Sequence, residues 1–300
     1  MTHSFVTVSY DVEAGFLELQ ARSVARYLPP EMVDRIIVIY NSPTVMSGEK
    51  QKGLLRAYGP FSGQVDILHH SDVCALPDVH GWRSQQILKM EIARQIESKR
   101  YVALDAKNHL VYPLTPGFLT SGDGRARSSA SSFENHQLRR HLERALGYVG
   151  LDPKPYIERF PATVTPFTFE TSVVRTLMNE VEAKAGRSFG NEFAGNMLTE
   201  FFLYNAYLLK TGNLKILQKD DRPMCLIIWA NTANELNIEL AVGKTIERNT
   251  PFFAVHRNAI PLLQPAAQFK LANFYVRRSL FTAEEDALEF LRHISPPPLV

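Results

Sequence analysis

At 300 residues, with 45% hydrophobic and 21% charged positions, the chain is long and apolar enough to bury a full core without disulfide or metal staples, which excludes disordered and fibrous classes. A formal net charge of +2 excludes the basic stripe of a nucleic-acid binder, so no nucleic-acid partner is expected and any anion handled here is small and locally held. Cys74 and Cys225 lack metal-ligand spacing and read as buried free thiols of a reducing compartment.

The opening "MTHSFVTVSYD" enters strand alternation at once rather than a signal-peptide pattern, and no run approaches the ~18 apolar residues of a membrane span. A cytoplasmic location without a membrane span is the expectation. The first strand begins at Phe5 and ends at Tyr10. A helix follows, with Leu17, Ala21, Val24 and Leu28 at helical spacing until Pro29 and Pro30 stop it. "RIIVIYNS" and "QVDIL" are further strands. "GWRSQQILKMEIARQIESKR" is a helix whose apolar face carries Leu88, Ile92 and Ile96, and the strand "YVALD" comes directly after it. Strand, crossover helix, strand predicts an α/β chain with a mixed, mainly parallel sheet flanked by helices, whose ligand edge gathers the segments after Tyr10, Tyr40 and Leu104.

The Gly- and Ser-rich stretch over 117–132 is predicted to be a mobile loop and a candidate lid. Helices are predicted near "ENHQLRRHLERAL", at "TSVVRTLMNEVEAKAG", where Val174, Leu177, Met178 and Val181 align, and at "NMLTEFFLYNAYLLKTG", ended by Gly212. Short strands follow at "LKILQ", "CLIIW" and "PFFAVH", then a last helix from Thr282 with Glu285 completing a capping box, and an irregular tail "SPPPLV". The whole reads as one compact unit, with a weak boundary near 115 between a nucleotide-binding half (about 1–115) and an acceptor-binding half (about 116–300).

The strand "YVAL" is apolar on successive positions, so both its faces are covered and Asp105 emerges at its end, followed by Lys107, Asn108 and His109. Asp105 taken alone reads equally as a turn cap. On the preceding helix Trp82, Gln85, Gln86 and Lys89 fall at i, i+3, i+4 and i+7; two amides, a cation and an indole favour a ligand over solvent. Tyr10 and Asp11 end the first strand as an aromatic face and an acceptor suited to a nucleoside, or as a helix cap. In "TEFFLYNAY", Glu200, Tyr204 and Tyr207 share a helical face, so Glu200 is either bonded to a tyrosine in the core or a general base. "FFAVHRN" adds His256, a metal-ligand candidate although a lone His is more often structural, and Arg257, a diphosphate clamp. Thr165, Thr168 and Thr171, in "TPFTFETS", suit a polyhydroxylated acceptor, with capping of the following helix by Thr171 or Ser172 as the alternative.

In their order and spacing, "FVTVSYD", "GWRSQQILKM", "YVALDAKNHLVYP", "TPFTFETSVV" and "TEFFLYNAY" resemble a GT-A-type glycosyltransferase, within a poorly characterised bacterial family, over about Phe5 to His256. The resemblance implies a Rossmann-like GT-A fold and transfer of a sugar from a nucleotide-diphosphate donor to a carbohydrate acceptor hydroxyl, in surface-polysaccharide synthesis. It assigns Tyr10 and Asp11 to the nucleoside and puts Asp105, Ala106 and Lys107 where the family has a D-x-D motif holding a divalent cation on the diphosphate. Exchange of the second acid for Lys107 divides the expectations. Either Lys107, Lys89 and Arg257 cradle the diphosphate without metal, the preferred version, or Asp105, with Asn108 and His256, keeps a weaker Mn or Mg site. Trp82, Gln85, Gln86 and Asn108 complete the donor set, and His109, Thr165, Thr168 and Tyr204 the acceptor set. Glu200 as base implies inversion; if it only orients the acceptor, retention stays open. A non-catalytic carbohydrate- or nucleotide-binding protein on the same fold is the alternative. A dinucleotide-dependent oxidoreductase is disfavoured because "SYDVEAGF" lacks the Gly-rich turn.

Overall fold

A computed structural model of the chain describes residues 2–219 and 222–294. The central sheet is built from β1 (His3–Ser9), β2 (Val33–Tyr40), β3 (Val65–His69) and β4 (Arg100–Asp105), in the order β3-β2-β1-β4, all parallel. The strand Phe167–Glu170 closes it antiparallel to β4. Helices lie on both faces, which is why β1 is buried along its whole length instead of alternating. The helix α1 (Ala14–Tyr27) follows β1 and buries Leu17, Ala21 and Val24 as its periodicity requires. The α/β, mainly parallel architecture is therefore the one expected. No described helix is long and apolar enough to cross a membrane.

Beyond Asp105 the chain turns sharply and β5 (Asn108–Leu110) leaves for a second sheet, pairing with Phe252–Val255, which is parallel to Cys225–Ile228. Strands from both sides of residue 115 thus share both sheets. A buried pair, Arg100 with Glu170, ties β4 to the antiparallel strand.

Several local expectations are corrected. Residues 117–132 are not one continuous loop: the strand Ala126–Ser128 pairs with Leu217–Lys219, and Ala130–Ser131 with Phe160–Pro161. Pairing to distant strands overrides the local Gly and Ser composition. The helix that opens "GWRSQQILKM" ends earlier than its pattern suggests, as Gly81–Glu91, and tightens into a 3-10 turn over Ile92–Gln95. The last helix is Glu284–His293 without a capping box; the Thr282 hydroxyl instead donates to Asp286 at 2.9 Å. Neither Thr171 nor Ser172 caps its helix, and Thr171 Oγ1 donates to the Ser98 carbonyl at 2.7 Å. Cys225 is buried but Cys74 only partly so. The tail "SPPPLV" lies outside the described residues.

Candidate active site

The carboxyl ends of β1, β2 and β4 open into a cleft of about 810 Å³. Its floor carries Tyr10, Asn41 and Asp105. One wall is the helix Gly81–Glu91, which presents Trp82, Gln85, Gln86 and Lys89 to the cleft, as their shared face predicts. The first turn of the helix Glu200–Lys210 supplies Glu200, and the ends of the second-sheet strands supply Trp229, His256 and Arg257.

The turn after β4 is fixed from α1. Buried Gln20 accepts from Thr7 Oγ1 at 2.7 Å and donates to the carbonyls of Asp105 and Asn108 at 2.9 and 2.8 Å. Asn108 Oδ1 accepts from the Asp105 N–H at 2.8 Å, while its amide faces the Thr165 carbonyl and Cys225 Sγ. Asn108 is therefore a staple of the turn and does not line the cleft.

Held this way, Asp105 lies in a line of alternating charge. Lys89 Nζ is 3.6 Å from Glu200 Oε1 and 2.5 Å from Asp105 Oδ1. Asp105 Oδ2 takes the Lys107 ammonium, along with the Thr165 hydroxyl at 3.0 Å. Burial works to raise the Asp105 carboxyl, but Lys107 and Lys89 outweigh it and hold it well below the usual carboxylate range. Burial likewise opposes the Lys89 charge, and Asp105 and Glu200 more than restore it. Glu200 is different: burial pushes it up to about 7, and Lys89 only partly offsets that. A buried acid with a pKa near neutrality is suited to taking a proton.

Glu13 is a cleft residue that sequence reasoning passed over. Burial, and then the Asp105 charge, push its carboxyl up to about 7. The strand-end rule marked this stretch but singled out Asp11. The 3-10 turn Asp11–Glu13 sends Asp11 outward, where it accepts from Tyr40 and pairs with Lys50 at 3.0 Å, and brings Glu13 to the cleft. Trp229, His141 and Thr199 were missed too. Trp229 follows its strand as Tyr10 follows β1, so the same rule applied to the second sheet would have found it.

Three proposed acceptor contacts lie elsewhere. His109 is buried edge-on against Phe253 and Tyr275, and burial pushes its pKa down to about 4. Thr168 is buried in its strand. The Tyr204 hydroxyl accepts from the Glu170 N–H at 3.0 Å, and Tyr207 donates to Glu180, so neither bonds Glu200. Thr165, Tyr10, Arg257 and His256 do reach the cleft, with the Arg257 guanidinium 5.3 Å over the Tyr10 ring.

The residues expected as ligands of a divalent cation have other partners in this structure. Both Asp105 oxygens are committed to ammonium groups, and His256 spends Nδ1 accepting from the Asn258 N–H at 3.2 Å. Among the described residues no group of three or more His, Cys, Asp or Glu side chains is placed to hold a metal.

Residues 6–232 match the model of a family described as "Family of unknown function (DUF6492)". No curated protein matches the chain. Among solved structures, the galactosyltransferase LgtC in complex with donor and acceptor sugar analogs aligns with a TM-score of 0.49 and 10% identity, covering 98% of this chain and 97% of that one. The bifunctional glycosyltransferase WbbM aligns with a TM-score of 0.46 and 10% identity, over 84% of this chain and 45% of that one.

Proposed function

We propose that this chain, which belongs to the DUF6492 family of unknown function, is a GT-A-type glycosyltransferase that moves a sugar from a nucleoside-diphosphate donor to a hydroxyl of a carbohydrate acceptor. The observation that carries the reading is the line Glu200, Lys89, Asp105, Lys107 at the carboxyl edge of a parallel sheet. It sets a cation partly open to the cleft at one end and a near-neutral acid at the other, the pairing that departure of a diphosphate and activation of a hydroxyl require.

In this mechanism Lys107 and Arg257 hold the diphosphate oxygens, while Thr165 keeps its hydroxyl on Asp105. Lys89, buried between two carboxylates, keeps Asp105 in place. The bond from the anomeric carbon to the phosphate oxygen breaks as the acceptor oxygen bonds that carbon from the opposite face. The acceptor proton passes to Glu200 and on to solvent, and the configuration inverts. Charge on the leaving group is met by lysine and arginine, with no metal step. The resemblance in sequence supports the same reaction class and a place in surface-polysaccharide synthesis.

The test is thermal stabilisation by a panel of nucleoside diphosphates, paired with sugar transfer. Wild type and Glu200→Gln are both stabilised by one nucleotide, and only wild type transfers. A panel without any shift overturns the reading. Binding without transfer or donor hydrolysis by wild type favours the non-catalytic binder, which the lysine-locked Asp105 also suits.

A further inference from the structure

The chain has two tryptophans, and both line the cleft with much of their surface free, Trp82 at 45% and Trp229 at 41% exposure. Exposed indoles on a concave surface are ligand platforms by default, since each offers a large rigid apolar face at little entropic cost. They do not share a neighbourhood. Trp229 packs against His256 in a tilted pair with ring centroids 5.1 Å apart and lies 5.9 Å from the Lys107 ammonium. Trp82 meets His141 edge-on at 5.5 Å and carries the Arg83 guanidinium 5.6 Å over its ring. The helix Arg139–Tyr148, which carries His141, packs beside the helix that begins at Glu200.

The charged line therefore has Glu200 toward the Trp82 end and Lys107 toward the Trp229 end. Trp82 and Lys89 are seven residues apart on one helix, about 10 Å along its axis, which leaves room for a ligand ring between the indole and the charges. Thr199 lines the same end, is 5% exposed, and its hydroxyl has no hydrogen-bond partner among the described residues. A buried hydroxyl left without a partner is costly, so a ligand group is its natural complement.

Resting on the glycosyl-transfer reading, we propose that Trp82 is the platform for the acceptor, which is a pyranoside, rather than part of the donor site. The apolar face of its ring lies on the indole and its hydroxyls reach Thr199 and Glu200. The nucleoside takes the opposite end, between Tyr10 and Trp229. An anionic diphosphate has to lie at Lys107 and Arg257, away from Glu200, and the attacking hydroxyl has to lie at Glu200. This order assigns the stripe of Trp82, Gln85, Gln86 and Lys89 to both substrates, with its N-terminal end serving the acceptor.

Having one tryptophan at each end makes the order directly readable. Trp229→Phe leaves Trp82 as the only indole emitter, and Trp82→Phe leaves Trp229. Each variant is titrated with UDP, GDP, CDP and ADP, and separately, with and without nucleotide, with methyl glycosides of glucose, galactose, mannose and N-acetylglucosamine. A saturable emission change of Trp82 with a glycoside and of Trp229 with a nucleotide is expected. A nucleotide that shifts Trp82 as strongly as Trp229, or a full glycoside panel that leaves Trp82 unchanged, overturns the proposal. If no nucleotide shifts either tryptophan or stabilises wild type, the glycosyl-transfer reading fails, while the glycoside titration still decides whether Trp82 is a sugar platform.

Discussion

Glu200→Gln removes a titrating proton from the cleft while keeping the shape of the side chain, and its effect on stability can be worked from the site. Burial lifts the Glu200 carboxyl from 4.5 to about 7, so the fold favours the neutral acid. Its contribution is intact below pH 4.5, is lost as pH rises toward 7, and levels off above. Linkage puts the penalty at about 1 kcal/mol at pH 5 and about 3 kcal/mol at pH 8. Buried histidines such as His109, pushed down to about 4, act in the opposite direction over pH 4 to 6.5, so the wild-type profile is composite. Only the difference between wild type and Glu200→Gln isolates the glutamate. Urea denaturation followed by circular dichroism at pH 5, 6, 7 and 8 should show that difference moving in favour of the variant by about 2 kcal/mol across the series. A constant offset at every pH would refute the assignment of a near-neutral acid to position 200.

Gln20→Ala should lower stability by about 2–4 kcal/mol, because it strands the buried carbonyls of Asp105 and Asn108 as well as the Thr7 hydroxyl, and should weaken nucleotide binding through the loosened turn. Denaturant midpoints and calorimetric titration check the two effects; an unchanged midpoint would remove Gln20 as the anchor of that turn. Binding of a nucleoside diphosphate near pH 7.5 should draw a proton from solvent, since added negative charge beside Glu13 favours its neutral form. Calorimetry in two buffers of different ionisation enthalpy measures that uptake. Glu13→Gln should reduce it, and equal uptake in both proteins would contradict the role given to Glu13.

The parallel sheet and its ligand edge were legible because short β-rich runs alternate with helical patterns and because the strand ending at Asp105 is apolar on successive positions, a pattern that only covered strands tolerate. The Trp82, Gln85, Gln86 and Lys89 stripe was legible because helical spacing fixes a face whatever the tertiary context. Asn108 and Tyr204 misled because a buried polar group reads the same whether it faces a ligand or a backbone group, and here Asn108 ties the Asp105 turn while Tyr204 caps the Glu170 N–H. Glu13 and Asp11 were confused because one 3-10 turn decides which of two nearby acids faces inward. Residues 117–132 looked mobile because their strand partners, Leu217–Lys219 and Phe160–Pro161, are distant in sequence.

The central claim is that lysine, rather than a divalent cation, holds the diphosphate at Asp105. The direct measurement is calorimetric titration of the stabilising nucleoside diphosphate in the presence of a chelator, into wild type and into Lys107→Met, which keeps the apolar stem and deletes the charge. Loss of one charge-assisted contact is worth about 1.5–3 kcal/mol, so wild type should bind in chelator and the variant about 10- to 150-fold more weakly. Binding that vanishes in chelator and returns with Mn²⁺, with Lys107→Met equal to wild type, would contradict the account.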